Sequence, residues 1–254
     1  MKLSVLLSGI RVSKWYDLYK SIAHSSTNND WELVIVSPYE LPNELLLKDN
    51  IQWVQDWGSP CRCQQRALTM AKGDWIAWTS DDVTYLPNAI DHSFELLDQS
   101  DDKMIIVSKY LEGDNPTSMD TNDYYYLRFH QSMMLKGVPN DAMLLNCGMV
   151  SRKMLLELGG WDASKFEVLP LAYTDFSIRA LKYGAKFIIQ NDPVCTCTHM
   201  PGMTGDHGPI HTAQTFRDMP MFQMLYCKPT DRMIIDINNW QKSPERWVRR
   251  FGET

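Results

Sequence analysis

Short apolar runs alternating with helical or turn-rich stretches fill the first 110 residues, and this alternation constrains the fold more than any other feature. The runs are "LSVLLS" at 3–8, "ELVIV" at 32–36, "IQWV" at 51–54, "WIAWT" at 75–79 and "MIIVS" at 104–108. Each is too short for an ordinary helix, and unbroken apolar character is what a strand covered on both faces requires. Between them, residues 13–23 place Trp15, Leu18, Tyr19 and Ile22 on one helical face. Residues 61–71 read as a helix stopped by Gly73, and Pro87 opens another running to about residue 97. Pro38 and Pro42 mark the loop after the second run. Strand–helix alternation of this kind implies βαβ units and a doubly wound parallel α/β sheet, with ligands bound beyond the carboxyl ends of the strands.

Composition narrows the function classes. The 254 residues are 44% hydrophobic and 22% charged, ordinary globular usage with enough chain to bury a core. A net charge of -6 gives no basic footprint for nucleic acid. The opening "MKLSVLLSGI" reads as the first strand rather than a signal peptide, and no run approaches the roughly 18 apolar residues of a membrane span, so a cytoplasmic location is expected. The two C-x-C pairs, Cys61/Cys63 and Cys195/Cys197, lack the C-x₂₋₄-C spacing of structural zinc sites; with Cys147 and Cys227 they read as free thiols in a reducing compartment.

Beyond Gly113 the pattern is less regular. Residues 122–136 read as a tyrosine-rich helix, 144–150 as a strand and 152–158 as a short helix before the Gly159-Gly160 break. Residues 175–183 form an amphipathic pattern ending at Gly184, and 186–189 and 194–199 read as two strands. Residues 1–200 are expected to form one domain, divided near 110, with 201–254 a loop and helical extension packed on it.

Asp81 and Asp82 stand side by side where the 75–79 run ends. Adjacent carboxylates are costly there unless a cation or a helix N-terminus offsets them. On one reading they cap the turn into the next helix; on the other they are hard oxygen ligands for magnesium or manganese shared with a substrate's phosphates. The surrounding "AKGDWIAWTSDDVTYLPNAI" resembles the segment of family-2-type glycosyltransferases in which a strand leads into a D-x-D-type motif. The resemblance implies the GT-A (nucleotide-diphospho-sugar transferase) fold, a Rossmann-like three-layer α/β/α arrangement with a mostly parallel central sheet. In that family the motif contacts the nucleotide sugar and its metal. It falls here on Ser80, Asp81 and Asp82, with Asp82 the implied ligand of Mn²⁺ or Mg²⁺ and Ser80 replacing the first aspartate.

Four further segments carry the resemblance. "LSVLLSGIR" is similar to the first strand and nucleotide-contacting loop, implying Ser8, Gly9 and Arg11 at the donor. "ELVIVSPYE" is similar to the second strand, with Ser37 and Pro38 where acidic residues usually follow. "CRCQQRALTMAKG" resembles a family helix with Gln65 in place of its asparagine. "CGMVSRKMLLELGGWD" resembles the acceptor-side pattern, implying Cys147, Gly148, Trp161 and Asp162 near the acceptor. Residues 1–110 would then be the nucleotide-sugar-binding half and 111–200 the acceptor-binding half.

Transfer of a sugar to a hydroxyl needs a base for the acceptor's proton. "YTDFSIRALKYG" resembles the family segment whose acidic residue has that role, and Asp175 takes it, with Arg179 and Gly184 also matching; Glu167 and Asp162 are the alternatives. Asp175 is otherwise a helix cap. His199, sharing a strand face with Cys195 and Cys197, resembles the histidine that completes the family's metal site, and is otherwise a packing residue; His207 and His211 in "GDHGPIH" are further candidates. Trp75 and Trp78 read as core aromatics, and the tyrosines at 124–126 as acceptor-stacking or packing residues. "ERWVRRFG" at 245–252 reads as a solvated basic helix or as a weak membrane-surface contact.

The expected function is therefore an inverting, divalent-metal-dependent glycosyltransferase. It would move a sugar from a nucleotide-diphosphate sugar to a glycan or lipid-linked acceptor hydroxyl. A nucleotidyltransferase would show a loop richer in glycine and basic residues than "SGIRVSKW". A catalytically degenerate sugar- or nucleotide-binding relative is the non-enzymatic alternative.

Overall fold

The structure, a computed structural model, describes residues 1–97, 101–112, 135–139, 141–143, 145–197 and 205–253. Strand β1 (Leu3–Ser8) leads into helix α1 (Val12–Ser25), then β2 (Trp31–Ser37), a short α2 (Asn43–Leu46) and β3 (Ile51–Gln55). Helix α3 (Pro60–Met70), β4 (Trp75–Thr79), β5 (Val83–Tyr85), α4 (Ala89–Glu95) and β6 (Met104–Glu112) follow. The second half carries β7 (Gly148–Ser151), α5 (Arg152–Glu157), α6 (Leu169–Tyr183) and β8 (Lys186–Cys197). Helices α7 (Gly208–Ala213), α8 (Met219–Tyr226) and α9 (Val248–Phe251) complete the chain, with a π-helical turn over Gln214–Asp218 joining the first two.

One sheet runs in the order β3-β2-β1-β4-β7-β6-β8-β5. β1 pairs in parallel with both β2 and β4, so the chain winds outward from β1 in both directions. β7 enters antiparallel to β4 and β6, and β5 antiparallel to β8. The period of two in β1 explains why both faces are covered. Leu3, Val5 and Leu7 join a core with Trp15, Leu18 and Ile22 of α1 and Phe94 of α4. Leu6 faces the opposite core, built with Ala67 and Leu68 of α3 and Phe176 of α6. The result is the expected three-layer α/β/α arrangement with a mostly parallel sheet.

Local sequence explains the helix ends. Ser59 caps α3, its hydroxyl accepting the Arg62 N–H at 3.3 Å, and Pro60 occupies the first turn. Gly184 ends α6 at φ 91°, a left-handed conformation that favours glycine.

Val83–Tyr85, outside every strand expected from the sequence, pairs with Cys195–Cys197 and closes the sheet edge. Two expectations are corrected. The runs at 186–189 and 194–199 merge into one strand, β8, whose register shifts against β6 near Lys109 let it bend. Helix α6 begins at Leu169, with Pro170 in its first turn, so Asp175 lies inside the helix and caps nothing. Most of the helix expected at 122–136, including the tyrosines at 124–126, falls outside the described residues, as does His199.

Candidate donor-binding site

β2 and β4 flank β1 on opposite sides, so the carboxyl ends of these strands form the point where the winding direction changes and ligands bind in such sheets. A cavity of about 330 Å³ opens there. Ser8, Gly9 and Arg11 from the end of β1, with Ser80 and Asp81 after β4, line its floor. These are five of the eight residues expected to touch the donor, the other three being Ser37, Gln65 and Asp82. Gly9 is required by packing: a Cβ at that position would lie 2.8 Å from the Trp15 indole nitrogen.

The adjacent aspartates have different surroundings. Asp81 is buried; one carboxylate oxygen accepts the backbone N–H groups of Ile10 and Arg11, both at 2.7 Å, and the other accepts from the Arg11 guanidinium. Asp82 accepts from the Ser80 hydroxyl and lies 3.9 Å from Arg11 Nη1. Arg11 is therefore the cation that offsets the paired charges. Burial works against its charge, but Asp81, Asp82 and Asp206 outweigh burial and hold the guanidinium above its ordinary pKa.

The remaining walls come from the chain's far end. Asp206, His207, His211 and Gln214 face the cavity, the last three at the i, i+4, i+7 spacing of one helical face. Trp247 and Arg250 also line it. Trp57, after β3, anchors this segment. Its carbonyl accepts the Trp247 N–H at 2.8 Å, its ring meets Phe251 edge-on at 5.1 Å, and the Arg246 guanidinium lies 5.2 Å over it. "ERWVRRFG" thus sends Trp247, Arg250 and Phe251 toward the cavity. Only the 207/211/214 spacing hinted at this in the sequence; the contribution of the last residues depends on how the chain returns to β3.

Several expected site residues lie elsewhere. Gln65 is fully buried in α3, donating to the carbonyls of Gly159 and Ile237 at 2.8 Å and accepting the Trp161 N–H at 2.7 Å. It ties the Gly159-Gly160 corner to α3 and does not line the cavity. Ser37 is buried, its hydroxyl accepting the Tyr39 N–H, while Val36 and Pro38 on either side line the cavity. On the acceptor side, Gly148 is packed in the sheet, where a Cβ would meet the Ile106 carbonyl at 2.5 Å, and Cys147 beside it is half-buried. Trp161 is a core aromatic between Trp78 and Tyr173, with ring centroids 5.7 Å from each. All six cysteines are free thiols.

Asp175, expected to be the base, lies in the packed interior. Its side chain is 0% exposed. Oδ2 pairs with Arg179 Nε at 2.7 Å, and Oδ1 with Arg232 Nε at 2.8 Å and the Tyr226 hydroxyl at 2.7 Å. Burial raises its pKa, but the two arginines outweigh burial and hold it below the usual carboxylate range. Its partners hold it in a structural ion-pair network rather than at the cavity. The alternatives are also engaged. Asp162 binds Arg232 at 2.6 Å, and Glu167 meets Arg217, Arg249 and the Trp247 indole within 2.9 Å.

A divalent metal at Asp82 is not assembled by the described residues alone. Among them no three of His, Cys, Asp and Glu converge, both oxygens of Asp81 are taken by N–H donors, and the guanidinium of Arg11 stands beside the aspartates. Nor is any described helix long and apolar enough to cross a membrane.

The fold is of the GT-A glycosyltransferase type. Solved structures agree. Residues 1–349 of TarS from S. aureus, a GT-A-type glycosyltransferase, in complex with UDP-GlcNAc superpose with a TM-score of 0.53 at 13% identity, over 82% of this chain and 60% of that one. The same piece in complex with UDP gives 0.58 at 14% identity, over 89% and 70%. A third TarS structure gives 0.52 at 16% identity, over 89% of this chain and 42% of that one. At such identities the likeness is one of fold. No protein-family model and no curated protein matches the sequence.

Proposed function

We propose that the protein is a glycosyltransferase that binds a nucleotide-diphosphate sugar in the cavity beyond β1 and β4 and transfers the sugar to an acceptor hydroxyl. One observation carries this reading: two arginines, Arg11 and Arg250, converge at the edge of that cavity in a fold that accommodates UDP and UDP-GlcNAc in TarS. Guanidinium groups suit a diphosphate because their planar forks match phosphate oxygens in pairs. Val36 and Pro38 offer an apolar wall for the base. The arginines would neutralise charge building on the departing diphosphate, and attack from the opposite face would invert the anomeric centre. His207 and His211 replace Asp175 as the groups proposed to accept the acceptor's proton, since both face the cavity.

A second reading, a relative that binds the donor without turning it over, is favoured by the ion-pairing of Asp175, Glu167 and Asp162. The two separate in one assay. Incubation of UDP-GlcNAc or another nucleotide sugar with the protein releases nucleoside diphosphate slowly if it is a transferase, whereas a binding relative retains intact donor. A thermal-shift panel of nucleoside diphosphates identifies the base; a panel in which none raises the melting temperature would reject both readings.

A further inference from the structure

Arg11 and Arg250 are held together by one acidic side chain. Asp206, in the turn Gly205–His207, places Oδ2 3.1 Å from Arg11 Nε and Oδ1 3.5 Å from Arg250 Nη1, and its backbone carbonyl accepts from Arg250. The two guanidinium groups are mostly buried, each side chain 13% exposed, whereas the Asp206 side chain is 44% exposed. Arg11 has a second, permanent counter-ion in buried Asp81; Arg250 has no other acidic side chain within ion-pair distance among the described residues. Burial, and then the nearby Arg11, lower the Arg250 pKa, while Asp206 raises it. Two like charges are thus kept close by a carboxylate that lies partly in solvent.

We propose that the Asp206 carboxylate occupies the position of a donor phosphate, and that the diphosphate displaces it to bind between Arg11 and Arg250. The inference deepens the glycosyltransferase reading and rests on it for the identity of the anion as a nucleoside diphosphate. A carboxylate offers the same pair of oxygens to a guanidinium fork that a phosphate does. Its exposure lets it move to water at small cost, because a partly exposed ion pair is weak. The arginines stay in place, since Asp81 pins Arg11 and the Trp57 contacts anchor the segment that carries Arg250. Asp206 would give Arg250 a counter-ion when the site is empty and act as an internal competitor that every donor molecule must displace.

The test uses inorganic pyrophosphate and UDP as separate titrants in calorimetry at fixed pH and ionic strength. The proteins are the full chain and its Asp206→Asn, Arg250→Gln and doubly substituted forms, each checked for folding by its melting curve. With the competitor neutralised, Asp206→Asn binds pyrophosphate roughly three- to tenfold more tightly. Arg250→Gln binds it at least about tenfold more weakly, and in the double variant the gain disappears. Equal or weaker binding by Asp206→Asn overturns the inference, since Asp206 would then be orienting the arginines. Absence of pyrophosphate binding in all forms overturns it as well. If the pyrophosphate pattern holds while UDP binds no better than pyrophosphate, the exchange stands and the nucleotide-sugar reading falls. If UDP binds the wild type and its affinity is unchanged in Asp206→Asn, the exchange falls and the nucleotide-sugar reading stands.

Discussion

The carboxylate of Asp81 grips Arg11 twice: one oxygen accepts the Arg11 backbone N–H at 2.7 Å and the other its guanidinium. This single residue fastens the β1–α1 loop to the end of β4, and so shapes the cavity floor from two strands that are seventy residues apart in sequence. Asp81→Ala leaves the backbone N–H groups of Ile10 and Arg11 without this acceptor and takes the buried counter-ion from the Arg11 guanidinium. The expected loss of stability is about 2–4 kcal/mol in urea unfolding, together with loss of donor binding. Asp82→Ala, which removes only a contact to Ser80 and a 3.9 Å approach to Arg11, should cost below about 1 kcal/mol. Equal effects from the two substitutions would contradict the division of roles.

Asp175 offers a clean separation of structure from catalysis. Asp175→Asn leaves Arg179 and Arg232 facing each other without their shared anion, and the expected destabilisation is about 3–5 kcal/mol. Its folded pKa is depressed, so its contribution is present above the ordinary carboxylate range and is lost as pH falls through the folded value, in the acid region below about pH 4. A variant that melts like the wild type but has lost turnover would restore Asp175 as a base.

Asp218 should give the opposite pH signature. Buried, and accepting the N–H groups of Glu167 and Val168, it has its pKa pushed up to about 6, mainly by desolvation. The folded state therefore holds a proton that the unfolded state releases between the ordinary 3.8 and about 6. That contribution is full below the unfolded value and is lost as pH rises through the folded one. From pH 4 to 7 the wild type should lose about 2–3 kcal/mol relative to Asp218→Asn, measured by chemical denaturation at each pH. Parallel stability curves for the two proteins would rule out this assignment.

Manganese distinguishes arginine from metal as the diphosphate's counter-charge. With Arg11 and Arg250 in that role, UDP affinity in EDTA should stay within about threefold of its value in manganese. A loss beyond about tenfold would instead assign a cation to Asp82 and to a ligand outside the described residues, with His199 the first candidate. In that case Asp82→Ala should remove the manganese effect and leave the EDTA affinity unchanged.

The sequence alone determined the layered α/β plan, because unbroken apolar runs of strand length can be satisfied only by a sheet covered on both faces. It also put Ser8, Gly9, Arg11, Ser80 and Asp81 together, since residues at the carboxyl ends of β1 and β4 meet wherever such a sheet changes winding direction. Asp175, Gln65 and Trp161 lie in the packed interior: a motif records that a residue type is required, while only packing shows what that side chain touches. The tertiary structure alone brought Asp206, Trp247 and Arg250 across the site. Their placement depends on contacts with Trp57 and Arg11, nearly two hundred residues away, and no local spacing or periodicity encodes a contact of that range.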